Sequence, residues 1–418
     1  MKFVFVDKEN ICTYHDGKTV KTESTYITNY RENSKREQKN REWKQNSDMM
    51  LYDDFYGMRN ERVVAQINSV SPTLEENKIL YAFSVNETSG IYYKYFDGEK
   101  NTEAHFLSSN EYTFKDISVN PKGEITGTVQ KDLLSSDIAV FSKNGGDYKS
   151  VTGGDSKDEN PFSDGKGNIW FNSYGIGRDV NNEFVKYGCS EILKLDTARM
   201  EIETILSSEK YSYVKPIVDK NGDLYCIRTL GEEKESQNVF LQVLLIPVRI
   251  VQALIGFVSM FVTIFAGKPL VEGKGKTRSG NGAAKHADEK QIFINNHLLN
   301  VEQELKRNKK TADSGFIPYG WKLIKIKPTS DDFSVNYNAE TAEEIASGVA
   351  DFALTEENGQ KTVLYTNGKH IFSVSLDGEK KKKKLFNTDF CVKLGVLSVT
   401  EEEKNAKERE EDIFFNGL

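Results

Sequence analysis

Apolar and polar residues alternate along most of the chain in short runs that end at Gly, Asn or Asp. This is the pattern of half-buried strands joined by tight turns. The run Asp116-Ile-Ser-Val-Asn-Pro-Lys-Gly123-Glu-Ile125 has relatives in Pro161-Phe-Ser-Asp-Gly-Lys-Gly167-Asn-Ile169 and Pro216-Ile-Val-Asp-Lys-Asn-Gly222-Asp-Leu224. Looser copies run from Ser71 to Ile79 and from Phe352 to Val363. Each predicts a strand, a turn whose Gly or Asn tolerates positive φ, and a second strand. A second hairpin signal follows, at Asp97-Gly98, Asn144-Gly145 and Asp377-Gly378. The turn glycines at 123, 167 and 222 recur at the period of a four-stranded repeat.

Two hairpins per repeat predict an all-β chain folded as a β-propeller. Phe3–Val6 and the run from Ile11 to Gly17 read as the second and third strands of a blade that lacks its first. The run from Phe390 to Leu397 is the strand that closes it. Counting that shared blade once predicts six: the termini, then 62–108, 112–152, 159–206, 211–335 and 345–387. A pair of β-sandwiches is the alternative. On its Asn-Pro-Lys-Gly, Ser-Asp-Gly-Lys-Gly and Asp-Lys-Asn-Gly turns, the sequence resembles the six-bladed propellers of the TolB and WD40-like repeat group over 1–230 and 315–398. The fuller Ser-Pro-Asp-Gly form of that group is nowhere intact. The resemblance implies the fold, and a role in binding proteins or polysaccharide-associated partners rather than in catalysis.

Two insertions interrupt the repeat. The segment 27–47 lacks Gly and Pro and carries Glu32–Arg36 and Glu37–Arg41 at helical spacing, which predicts a helix. It reads either as a partner-binding arm or as a solvated helix pinned by Tyr30 and Trp43. The second insertion, 231–316, contains an almost wholly apolar run from Val239 to Ala266. Pro247 can open a helix there, and twenty residues of helix span about 30 Å, the thickness of a bilayer core. Arg249, Gln252, Gly256, Ser259 and Thr263 form one narrow polar stripe, leaving most of the circumference apolar. Pro247, Arg249, Leu254, Phe257, Phe261 and Phe265 are the expected membrane-contacting residues. Both ends of the insertion return to one blade, so an in-plane or re-entrant helix fits the fold better than a single span, although hydropathy alone indicates a span. The linker Gly267–Lys290 follows, with Lys268, Lys274, Lys276 and Arg278 placed to meet anionic headgroups. A second, more polar helix is expected over Gln291–Leu305.

Charge and composition narrow the function. With 56 Lys and Arg against 63 Asp and Glu the net charge is −7, which argues against general nucleic-acid affinity. Cys12, Cys189, Cys226 and Cys391 are scattered, without the spacing of a zinc knuckle or a disulfide framework. Met1-Lys2-Phe3-Val4-Phe5-Val6-Asp7 is too short for a secretory signal, so the soluble part is expected in the cytoplasm. Gly273-Lys-Gly275-Lys276-Thr277 lacks the earlier glycine of a phosphate loop, since position 270 is Leu270. His15, His105, His286, His297 and His370 share no metal-ligand spacing. Asp155, Asp158 and Glu159 read as a solvated acidic loop rather than a calcium site, and Lys380–Lys384 as an edge strand guarded by lysines.

The sequence thus predicts a propeller over 1–230 and 317–398, a membrane-interacting insertion over 231–316, and a charged tail over 399–418. The function expected is a non-catalytic, membrane-associated protein-binding scaffold or sensor. Its partners are membrane lipid and a protein, with no nucleic acid, nucleotide, metal or cofactor. The alternatives are a propeller hydrolase or lyase with an unrecognised site, and a soluble propeller that oligomerises through its apolar helix.

Overall fold

The computed structural model describes residues 2–15, 17–45, 63–75, 77–96, 102–230, 291–308, 313–331, 334–357, 360–377 and 381–396. The chain divides into two units, Met1–Gly231 with Glu304–Leu418, and Glu232–Gln303.

The first unit is a succession of antiparallel sheets. β1 (Lys2–Asp7), β2 (Asn10–His15) and β3 (Lys18–Thr22) pair in order and lead into α1 (Thr25–Gln45). β4 (Ala65–Pro72), β5 (Lys78–Val85), β6 (Thr88–Tyr95) and β7 (Glu103–Ser109) form the next sheet. β8 (Thr113–Val119), β9 (Ile125–Gln130), β10 (Ser136–Phe141) and β11 (Tyr148–Ser150) follow, then β12 (Ser156–Ser163), β13 (Asn168–Arg178), β14 (Phe184–Asp196) and β15 (Glu201–Leu206). A single parallel bridge, Ser136 opposite Lys157, joins these two sets. After them come β16 (Tyr211–Val218) and β17 (Leu224–Leu230).

The second unit contributes a hairpin of β18 (Gln291–Ile294) and β19 (His297–Asn300). The helix predicted over Gln291–Leu305 is therefore mostly strand. Asn295 and Asn296 both adopt positive φ, 48° and 63°, and Asn tolerates that better than other non-glycine residues, so the chain reverses where a helix would have to continue. Only α2 (Val301–Arg307) is helical in that stretch.

β20 (Lys322–Ile326) then pairs with β17. The small hairpin of β21 (Pro328–Asp331) and β22 (Ser334–Tyr337) intervenes before β23 (Glu343–Ser347) completes that sheet. The boundary expected at 345 thus falls inside β23, because an extra hairpin separates the third strand from the fourth. β24 (Asp351–Glu357), β25 (Gln360–Thr366), β26 (Gly368–Ser375) and β27 (Lys382–Cys391) make the last full sheet, with the lysine run starting its outermost strand. β28 (Lys393–Val396) crosses to the N-terminal sheet and pairs with β1 from Phe3↔Val396 to Val6↔Lys393. The closing strand is where the sequence places it.

The turn chemistry explains the repeat. Gly123, Gly167 and Gly222 sit at φ 74°, 95° and 83°, values that a side chain disfavours. Ahead of each, the side chain of Asn120, Asp164 or Asp219 accepts backbone N–H bonds from two residues of its own turn, at 2.7–3.1 Å. The apolar residues of each strand pack between sheets. Val4, Val6 and Ile11 meet Ile79, Tyr81 and Phe83, while Leu80, Ala82 and Ile91 on the opposite face meet Phe114, Val129 and Phe141.

α1 matches the predicted insertion helix, and its start is held by buried polar groups. The Ser24 hydroxyl accepts from Ile27 N–H at 3.3 Å, and the Glu103 carboxylate accepts from Thr25 and Tyr26 N–H at 2.9 and 3.1 Å. Glu103 is itself paired with Lys94, which has no exposed side-chain surface and also donates to the Glu23 carbonyl. Tyr26 and Tyr30 lie against the Phe83 cluster, so at this end the helix is packed onto the sheet.

Candidate functional site

β4, β8, β12, β16, β24 and β28 are the strands that line a common cavity of ≈ 640 Å³. Each of the first four is broken by a bulge before it reaches the turn: between Ile67 and Ser69, Lys115 and Ser118, Glu159 and Phe162, and Val214 and Ile217. Three of the bulged residues take positive φ, Asp116 at 45°, Asn160 at 54° and Lys215 at 55°. Asp and Asn tolerate that region, but a lysine there is strained, and strained backbone is often kept where a side chain must be aimed. Asn172 supports two of them, its side-chain oxygen accepting from Asn160 Nδ2 at 2.9 Å and from Lys215 N–H at 3.1 Å.

The bulges place Asp116 and Lys215 at the cavity, where each meets a charge from an unbulged strand. Lys393 of β28 reaches Asp116 of β8 at 2.5 Å, and Lys215 of β16 pairs with Asp351 of β24. The second Asp351 oxygen accepts from Leu394 N–H at 2.7 Å, so the same carboxylate holds the closing strand. Charges thus alternate from Asp116 to Lys393 to Asp351 to Lys215. Burial alone would raise the Asp116 carboxyl, but Lys393, Lys115 and Lys215 outweigh it and hold it below the usual carboxylate range. Burial would lower Lys393, and Asp116 and Asp351 more than reverse that. Lys215 is left low, because desolvation exceeds the pull of Asp351.

Nearer the turns, Asp219 pairs with Lys361 at 2.8 Å and Glu356 with Lys220 at 3.8 Å. Asp164 is occupied by its turn amides and by Asn168 Nδ2 at 2.8 Å. Of the five carboxylates that line the cavity, four are therefore hydrogen-bonded and Glu356 is in a looser ion pair. The ammonium groups of Lys122 and Lys166, on exposed turn residues, have no bonding partner among the described residues. Apolar walls, including Pro72, Pro121, Pro161 and Phe162, complete the site.

The ten residues expected to meet lipid (Pro247, Arg249, Leu254, Phe257, Phe261, Phe265, Lys268, Lys274, Lys276 and Arg278) lie outside the described residues, as does the tail 399–418. Among the described residues no helix is long and apolar enough to cross a membrane. Asp155, Asp158 and Glu159 do not form the solvated loop expected of them. Asp155 is exposed and pairs with Arg178, whereas Asp158 and Glu159 are buried on β12. There Asp158 accepts from the Ser173 hydroxyl at 2.6 Å and Glu159 pairs with Lys157 at 3.0 Å, which is how strand burial tolerates them. Burial pushes the Asp158 carboxyl up.

The residues of the charged ring are absent from the sequence-based candidates. One signal was available: Asp116, Asn160 and Lys215 each stand seven positions ahead of a turn glycine, so the repeat marks one equivalent position in three sheets.

No protein-family model matches this chain, and no curated protein matches it in sequence. Solved structures are similar at low identity. TolB from Acinetobacter baumannii is 10% identical over 94% of this chain and 64% of its own, with a TM-score of 0.45. A puromycin-hydrolyzing peptidase from Mycobacterium tuberculosis is 10% identical over 90% and 48%, with a TM-score of 0.39. A putative TolB from Agrobacterium tumefaciens is 12% identical over 78% and 82%, with a TM-score of 0.34. For puromycin hydrolase the match covers only 25% of that protein's length. In this chain itself, the repeating four-stranded sheets, the shared cavity and the closing β28–β1 pairing make a β-propeller fold.

Proposed function

We propose that the chain is a six-bladed propeller that works as a non-catalytic binding platform, with the cavity at the ends of its inner strands as the binding site. The blade count follows if β8–β11 and β12–β15 are taken as separate blades and β28 as the first strand of the N-terminal one. The observation that carries the functional reading is the state of the cavity's carboxylates. General acid–base or metal chemistry uses carboxylates that are free to exchange protons or ligands, and here each is tied to a lysine or to turn amides. Such pairing instead makes a stiff, concave wall, the form of a recognition site. The apolar segment 239–266 and the basic linker after it support a tether to an anionic membrane, with the propeller in the cytoplasm.

Two measurements test this together. A photo-crosslinking side chain at Lys122, at the cavity mouth, is compared in cells with one at Lys149, on an outer strand. The full chain and a form lacking 239–266 are also fractionated through salt, carbonate and detergent washes. Capture of a discrete partner from position 122 alone, with detergent needed only for the full chain, is the expected result. Equal capture from both positions removes the cavity as the binding site, and release of the full chain without detergent removes the tether.

A further inference from the structure

The cavity carries charge of a particular sign. Six lysines and five carboxylates line it, in a chain whose net charge is −7. Since each carboxylate is hydrogen-bonded or ion-paired, the charge still available belongs to Lys122 and Lys166, with the apolar surfaces of Pro72, Leu74, Pro121 and Phe162 beside them. A ligand that fits is an extended peptide with adjacent carboxylates and a bulky apolar flank, the carboxylates meeting the turn lysines and the flank covering the proline wall.

This chain supplies such a peptide. Val396, the last residue of β28, lines the cavity, and the sequence continues from there into 397–418. Glu401–Asp412 holds seven carboxylates against Lys404, Lys407 and Arg409, and Glu410-Glu411-Asp412 runs directly into Ile413-Phe414-Phe415. Fourteen residues separate Val396 from Glu410, a reach of up to about 45 Å. The cavity sits at the ends of the inner strands, where each chain turns toward its outer neighbours. β28 has no such turn to make, because the rest of its blade is the N-terminal sheet. The chain therefore leaves β28 at the cavity that these lysines also line.

We infer that the cavity takes an acidic peptide with an aromatic flank, and that residues 410–415 of this chain occupy it. This rests on the cavity being the binding site proposed above. An intramolecular occupant acts at a high effective concentration, so an external partner must compete with it and has to carry the same acidic–aromatic chemistry to do so.

The test uses the full chain at high dilution with a benzophenone side chain in place of Phe414. Photolysis and peptide mapping are expected to find adducts on the segments around Pro72, Pro121 and Phe162 of the same molecule. The charge reversal K122E/K166E, on exposed residues, should lower that yield about tenfold, since two charge-assisted contacts are lost. Adducts elsewhere on the chain, adducts only between molecules, or a yield unchanged by the reversal each overturn the inference. Crosslinking from position 122 separates this from the broader reading. If position 122 captures another protein while Phe414 adducts avoid the cavity, only the internal occupant is wrong. If position 122 captures neither, the cavity is not a binding site.

Discussion

Replacing Asp116 by Asn should loosen the ring where it closes, and the structure sets the size of the effect. Asp116 is nearly buried and accepts from Lys393 at 2.5 Å, and Lys393 belongs to the four-residue strand that joins the C-terminal part of the chain to β1. Asn keeps the shape and tolerates the positive φ, so backbone strain is not the variable. What changes is that Lys393 keeps its charge without its nearest partner. Removing one member of a buried pair costs about 3–5 kcal/mol. Lys393 retains some solvent contact and a second carboxylate, Asp351, nearby, which places the expected loss at about 2–3 kcal/mol. The assay is urea unfolding together with amide exchange at Leu394, whose N–H donates to Asp351. Exchange there should accelerate more than at β5, while in a double-mutant cycle with Lys393→Met the second substitution should recover part of the loss. The exposed pair of Lys8 and Asp389 is the control, and Asp389→Asn should leave stability unchanged. If Asp116→Asn loses under about 0.5 kcal/mol and Leu394 exchange does not change, the ion pair does not hold the ring closed and the reasoning fails.

Other consequences follow from the same contacts. Because the folded Asp116 carboxyl lies below its ordinary value, its contribution is fully present above the unfolded value, about 4, and disappears as pH falls through the folded one. The stability gap between wild type and Asp116→Asn should therefore hold from pH 7 to about 5 and narrow in acid; a gap that widens in acid contradicts the assignment. Glu103→Ala strands the buried Lys94 and uncaps α1, for a loss of about 3–5 kcal/mol by urea unfolding, whereas Lys94→Met with Glu103→Leu should recover most of it. Burial pushes the thiols of Cys12 and Cys226 up to about 12 and that of Cys391 higher still. At pH 8 a thiol reagent should then label only the half-buried Cys189 in the native protein and all four after denaturation; two or more fast native thiols would contradict the packing.

Much of the architecture follows from local chemistry that a sequence displays. The φ of Gly123, Gly167 and Gly222 is a property of their turns, and the alternation of Leu80, Ala82 and Phe83-type residues fixes which faces are buried. The closing strand was legible for the same reason, since the N-terminal sheet begins at what reads as its second strand and Lys393–Val396 supplies the missing first one. The helix over Thr25–Gln45 was legible from composition, but its anchor was not, because Glu103 lies 78 positions from the Thr25 amide it caps. Where an extra hairpin intervened, at Pro328–Tyr337, strand counting along the sequence put a sheet boundary inside β23. The Asn295-Asn296 reversal was missed because a short apolar run fits a helix and a hairpin equally well until backbone dihedrals are known.

By itself, then, the sequence determined the repeat, the turns, the insertion helix and the closure, all of which arise from preferences of neighbouring residues for particular dihedrals and faces. Only the tertiary structure decided which charges meet. Asp116 and Lys393 are 277 positions apart and Lys215 and Asp351 136. Nothing in either strand's own pattern selects its partner. Those pairs exist because ring closure brings the inner strands to one cavity and removes the water that would otherwise have satisfied each charge separately.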